Sequence, residues 1–116
     1  MKTKYDIIII GFGKAGKTLA AKLAQSGKSV ALIEKDAKMY GGTCINVVCI
    51  PSKRLITDAA DSPGGDFFAK EEHYRNAVEE KRMLTAALRK ANYDKLIQAG
   101  VDVTTQIGRA SCRERV

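Results

Sequence analysis

Between Tyr5 and Glu34 the chain reads as strand, glycine-rich turn, helix and strand, and this order constrains the fold more than any other stretch. Tyr5-Asp6-Ile7-Ile8-Ile9-Ile10 is a short β-branched run ending at a glycine. Such an unbroken apolar run predicts a strand buried on both faces, as in a parallel sheet. Gly11-Phe12-Gly13-Lys14-Ala15-Gly16 follows at once. Lys14–Ser26 then has helical spacing, with Ala15, Leu19 and Leu23 expected on its apolar face and Gly27 placed to end it. Ser29–Glu34 reads as the second strand.

The fold class expected is therefore α/β, a Rossmann-like βαβ unit with a parallel sheet. In such a unit Gly11 permits the tight turn and Gly13 lets the backbone approach a pyrophosphate. Gly16 allows the helix to pack closely on the sheet, and the helix N-terminus faces the phosphates. Glu34, 18 residues after Gly16, stands where an acid bonds a ribose hydroxyl. The plainer reading is a tight turn needing glycine and a surface carboxylate at Glu34. A lone G-x-G-x-x-G is weak evidence, but here the flanking strands, the helix and the acid accompany it.

The second constraint is Gly41-Gly42-Thr43-Cys44-Ile45-Asn46-Val47-Val48-Cys49-Ile50-Pro51-Ser52-Lys53. On a regular helix an i, i+5 pair has Cα atoms about 8–9 Å apart, from its rise and radius. A disulfide needs them within roughly 7 Å. If Cys44 and Cys49 pair, Cys44 must lie before the helix or in a distorted first turn. A helix N-terminus also favours a thiolate. Two unreactive buried thiols, or half of a zinc site, are the alternatives. Only His73 and Cys112 remain as further nitrogen or sulfur ligands, where zinc usually has four ligands, so no metal is assigned.

This segment resembles the redox-active stretch of the flavin-dependent pyridine nucleotide–disulfide oxidoreductases, the family of glutathione reductase, dihydrolipoamide dehydrogenase and mercuric reductase. Their pattern is Gly-Gly-Thr-Cys-x-Asn-x-Gly-Cys-x-Pro-Ser/Thr-Lys. Every fixed position is matched except one, where Val48 replaces a glycine. Its branched side chain is expected to crowd the flavin ring or strain the turn. The resemblance implies that the dinucleotide site takes FAD and that Cys44 and Cys49 form the redox pair. Cys49 would face the flavin in a charge-transfer pair, and Cys44 would attack the substrate. Gly42 and Thr43 match positions along the FAD phosphates, and Lys53 matches the lysine at the flavin N5 edge. It also implies NAD(P)H as reductant, at a site outside this chain, a homodimer, and a small-molecule disulfide or metal-ion substrate. The Gly11–Ala20 wording leans towards the mercuric-reductase-like branch. Two other functions stay open: a non-enzymatic nucleotide-binding redox sensor, and an NAD-dependent Rossmann enzyme.

The rest is less specific. Cys49 to about Ala60 is expected to be helical, with Pro51 in its opening turn. Asp61–Asp66 reads as a loop. A helix is expected from about Glu71 to Ala91, with Ala77, Leu84, Leu88 and Ala91 on one side. A short helix restarts at Asn92-Tyr93-Asp94, Gly100 ends it, and Val101–Thr105 forms a strand. His73 is read as a solvated residue at a helix start, and Tyr93, Phe67 and Phe68 as packing residues.

The 116 residues allow one small domain at most. Their 45% apolar and 28% charged content reads as soluble and globular, with no membrane span and no secretory leader. A cytoplasmic location is expected, where disulfides are usually catalytic or redox-sensing. The net charge of +7 is scattered and lacks a basic run with interleaved aromatics, so nucleic acid is not an expected partner. Residues 1–106 are expected to be the N-terminal part of an FAD-binding domain, inactive alone. Ile107–Val116 breaks the pattern and reads as a non-native, disordered tail.

Overall fold

The computed structural model describes residues 4–107. Among them three parallel strands form an open sheet in the order β1 (Ile7–Ile10), β2 (Val30–Glu34), β3 (Asp102–Thr105). β1 and β2 are joined by α1 (Lys14–Gln25). β2 and β3 are joined by a single 3-10 turn (Ala37–Met39), α2 (Thr43–Asn46), α3 (Cys49–Ala60) and α4 (Phe67–Ala99). Ile7 pairs with Val30 and Ala31 with Asp102, so β2 lies at the centre. The expected α/β unit with a parallel sheet is what forms.

The core lies on one face of this sheet. Phe12, Ala20, Val30, Leu32, Leu96 and Val101 are buried together, with Ile7, Ile9, Leu23 and Val103 packed around them. The other face is open: Ile8 is 58% and Ile10 77% exposed. Burial along β1 therefore alternates, which corrects the expectation of a strand covered on both sides. The cause is that α1 and α4 pack on each other over the buried face, while Ile8 and Ile10 point away from that core.

α1 is rotated relative to its expected apolar face. A Cβ at Gly16 would lie 2.3 Å from the Gly11 carbonyl oxygen and 3.3 Å from Ile9 Cγ2. Only hydrogen fits there, so Gly16 must face the strand. That choice turns Ala20, Leu23 and Ala24 inward and leaves Ala15 and Leu19 outside. The helix ends as expected at Gly27: Gly27 N–H donates to Ala24 O and Lys28 N–H to Leu23 O, both at 3.1 Å.

α4 is one helix of 33 residues, about 50 Å long at the usual rise. It starts at Phe67 because the Asp66 carboxylate accepts from Ala69 N–H at 2.9 Å. It does not break at Asn92-Tyr93-Asp94. Asn92 instead turns its amide back to the Leu88 carbonyl (2.8 Å), which leaves the main-chain ladder intact. The predicted restart is thus replaced by continuity, and Gly100 ends the helix with Val101 N–H on Leu96 O (3.0 Å).

α3 and the N-terminal half of α4 form a two-helix arm beside the sheet, in a molecule measuring 65 × 34 × 20 Å. Polar links hold it. Arg54 binds Asp58 (3.0 Å) and Glu80. His73 Nε2 contacts the Asp58 carbonyl at 2.7 Å, so it is half-buried and bonded rather than solvated. That carbonyl belongs to the last turn of α3, where helix oxygens lack intrahelical partners. Phe67 and Phe68 are 73% and 75% exposed and touch each other edge to face, so they do not pack into the core. Of the expected tail 107–116, Ile107 is exposed and residues 108–116 lie outside the described part. No described helix is long and apolar enough to cross a membrane.

Candidate functional site

The glycine turn after β1 meets the cysteine segment at the N-terminus of α1. Gly11 leaves the strand at φ +105°, its N–H bonded to Ile33 O at 2.8 Å. This left-handed conformation favours glycine. Gly13 is the residue before α1, and a Cβ built on it meets nothing within 4 Å. The first turn of α1 carries no acidic residue and no side-chain cap. Its leading N–H groups lack intrahelical acceptors by the geometry of a helix end, so this end attracts an anion. Gly42 closes the site from the other side. At φ +91°, a Cβ there would sit 2.8 Å from Gly13 Cα and 3.5 Å from Lys14 N.

Glu34 sits at the end of β2 and faces this turn. Its Oε2 accepts from Phe12 N–H at 2.8 Å, and its Oε1 from Lys35 N–H at 2.8 Å and Asp36 N–H at 3.3 Å. The acid therefore braces the glycine turn as well as its own strand end. A carboxylate has about four acceptor positions, so one remains free.

The cysteines lie either side of a break between two helices. Cys44 is in the single turn α2 and Cys49 opens α3, with Val47 and Val48 between. Cys44 thus lies before the helix that Cys49 opens, one of the two placements that a pair at this spacing would require. Both are free thiols. The neighbouring Cys49 thiol, together with some burial, raises the Cys44 pKa above its ordinary value, while Lys14 and Lys53 pull it down. Thr43 is exposed at the start of α2, and its carbonyl accepts from Val47 N–H (2.8 Å) and Val48 N–H (3.0 Å). Lys53 is exposed on the first turns of α3. Val48 has φ −114°, which any residue adopts, so the branched side chain does not strain the turn as expected.

The structure thus brings Gly11, Gly13, Gly16, Gly42, Thr43, Cys44 and Cys49 to one end of α1, with Glu34 at its flank. Sequence reasoning gave no role to several neighbours. Phe12 is buried and stacks on Tyr40 (4.9 Å), which stacks on Tyr93 of α4 (5.4 Å). Tyr93 therefore packs, as expected. Asn46 donates to the Tyr40 carbonyl (2.9 Å) and the Gly42 carbonyl (2.8 Å) and accepts from Arg89 (3.2 Å). Lys17 donates to Asn92 Oδ1 at 2.8 Å. Burial lowers the Lys17 pKa, Lys95 and Lys14 add to this, and Cys44 opposes it. Asn46 stood inside the quoted motif, but nothing local in the sequence marked Arg89 or Asn92. Among the described residues no three His, Cys, Asp or Glu side chains are grouped to hold a metal ion.

Comparison with known proteins agrees with this geometry. The family model described as pyridine nucleotide-disulphide oxidoreductase matches residues 5–111. The probable pyridine nucleotide-disulfide oxidoreductase RclA of Escherichia coli is 48% identical over 93 residues, covering 80% of this chain and 19% of the relative. A dihydrolipoyl dehydrogenase of Corynebacterium glutamicum is 49% identical over 59 residues, or 51% of this chain and 12% of the relative. Among solved structures, the Cu(II) complex of the HOCl-induced flavoprotein disulfide reductase RclA from Escherichia coli superposes with a TM-score of 0.76. It is 45% identical, and the match covers 90% of this chain and 22% of that one. The chain spans about a fifth of the length of RclA. With the family model covering nearly all of the sequence, the chain belongs to the pyridine nucleotide–disulphide oxidoreductase family.

Proposed function

We propose that residues 1–106 form the FAD-binding and redox-disulfide part of an NAD(P)H-dependent flavoprotein reductase, which passes electrons to a disulfide or metal-ion substrate. The observation that carries this reading is the contact of Gly42 with Gly13. It makes the anion-attracting end of α1 and the thiol pair one site rather than two. The open space beyond Gly13 and the acid-free first turn of α1 fit a pyrophosphate. Gly11, Gly13, Gly42 and Thr43 would line the phosphates, Gly16 would hold α1 close, Glu34 would use its free acceptor position for a ribose hydroxyl, and Lys53 would lie by the ring. FAD, when bound, supplies two-electron transfer between a nicotinamide and a thiol pair.

The cysteines carry the rest. A Cys44–Cys49 disulfide takes up two electrons and two protons to give the two thiols. Cys44, as thiolate, attacks a sulfur of the substrate disulfide, and the first substrate thiolate leaves with a proton. Cys49 then attacks Cys44 in the mixed disulfide, releasing the second substrate thiol and restoring the pair. The structure of RclA as a Cu(II) complex supports a metal ion as an alternative acceptor. A homodimer, an NAD(P)H site elsewhere in the protein, and a cytoplasmic location belong to the same proposal.

Gly13→Val tests the cofactor assignment. A Cβ at Gly13 meets no atom within 4 Å, so circular dichroism should show a folded variant whose melting point falls by no more than the modest cost of a poorer helix cap. FAD binding, followed by equilibrium dialysis and flavin fluorescence, should be lost. Retained FAD binding, or a wild type that prefers NAD over FAD, would sink the reading.

A further inference from the structure

Arg89 is half-buried on α4, and its guanidinium donates to Asn46 Oδ1 at 3.2 Å. Among the described residues it forms no ion pair. A cation removed from water in this way needs a fixed acceptor, and the acceptor here stands between the two cysteines. Asn46 is two residues after Cys44 and three before Cys49. Its Nδ2 is committed to the Tyr40 and Gly42 carbonyls, at 2.9 and 2.8 Å. Turning the amide over would set oxygen against two carbonyls and an NH2 group against a guanidinium. Arg89 and the carbonyls therefore select one orientation. α2 has only four residues, too few to hold its own shape in water. Beside the packing of buried Ile45, its geometry rests on these hydrogen bonds, and Arg89 supplies the one described here that comes from α4.

We propose that Arg89 is a positioning residue for the Cys44–Cys49 couple. Acting through Asn46, it holds α2 so that the two sulfurs stay at a separation that favours disulfide closure. The inference rests on the reading of these cysteines as the redox pair. Closure by oxidised glutathione turns two protein thiols into one disulfide and yields two glutathione thiols. A pair held in place closes at a higher effective concentration than a loose one. Loss of Arg89 should lower the closure equilibrium about tenfold, which makes the couple about 30 mV more positive.

The full chain, with Cys112→Ser in every version, is equilibrated in glutathione buffers of graded potential. Alkylation and peptide mapping then give the fraction of Cys44–Cys49 link. Arg89→Met should shift the equilibrium as stated, and Arg89→Lys should recover most of it. Asn46→Ala should give a similar shift, and the double variant no more than either alone. Arg82→Met, which removes an exposed partner of Glu79, should leave it unchanged. If Arg89→Met does not fold, Arg89→Gln takes its place. An unchanged equilibrium, a lowered melting point without a shift, or shifts at Arg89 and Asn46 that simply add would overturn the inference. A wild type that closes normally but ignores Arg89 overturns the inference alone. A wild type that forms no Cys44–Cys49 link overturns the proposed redox pair along with it.

Discussion

The two halves of α4 are held in opposite ways. The C-terminal half sends Tyr93 and Leu96 into a shared apolar core with α1 and the sheet. The N-terminal half leaves Phe67, Phe68, Tyr74 and Met83 to solvent and is tied to α3 by Arg54, Asp58, Glu80 and His73. The arm also leaves a cleft of about 330 Å³ between Leu55, Ala59, His73 and Ala77. One continuous helix thus belongs to two regions with different sources of stability. The sheet region is packed, and its cohesion scales with the apolar area removed from water. The arm buries Ala77 but is otherwise stitched by partly exposed charges and one half-buried hydrogen bond, each of modest worth.

Four substitutions test this contrast, from the largest effect down. Leu32→Ala, at the centre of the sheet, removes a fully buried side chain and should cost about 2–5 kcal/mol in urea denaturation. A cost below about 1 kcal/mol would mean that the sheet region is not the packed one. Gly16→Ala should cost about 1–3 kcal/mol, because its methyl meets backbone oxygen that cannot move aside cheaply. An unaffected midpoint would show that α1 can lift from β1. His73→Ala should lose about 1 kcal/mol, confined to the arm. Hydrogen exchange is the measurement: amides in the last turn of α3 should speed up while those of β2 do not. Acceleration spread evenly over both regions would erase the distinction. Val48→Gly, at the junction where the chain leaves the sheet region, should destabilise by about 0.4–1 kcal/mol through the unfolded state. Stabilisation would mean that the branched residue is strained after all.

What was legible in the sequence follows the same division. In the sheet region, function and packing impose local rules that a sequence displays. Gly16 must be glycine because the Gly11 carbonyl touches it, and the β–turn–α–β order follows from an unbroken isoleucine run and well-placed glycines. The break between the helices that carry Cys44 and Cys49 was also legible, because an i, i+5 spacing on one regular helix would hold two cysteines too far apart to pair. What could not be read was anything decided by a distant partner. The rotation of α1 is set by which side touches β1. The continuity of α4 is set by where the Asn92 amide goes, and the bonding of His73 by an orphan carbonyl on another helix. The open second face of the sheet was missed because four isoleucines in a row read as doubly buried. Burial there depends on what lies above the strand, which the strand itself does not encode. Phe67 and Phe68 misled for the same reason.

The stacked rings have an optical consequence. The chain contains no tryptophan and four tyrosines. Phenol emission is therefore not drained into an indole, and each ring reports on its own surroundings. Tyr40 and Tyr93 lie nearly parallel, 3° apart, where the cysteine segment meets α4, whereas Tyr74 stands exposed on the arm. With Tyr74→Phe, the remaining emission is weighted towards that junction, to which Tyr5 adds a constant background. Parting of the two rings then becomes visible as a change in brightness and anisotropy. The molecule carries a built-in dye pair where the cysteine segment meets the packed core, and opening of that junction can be followed in real time without any label.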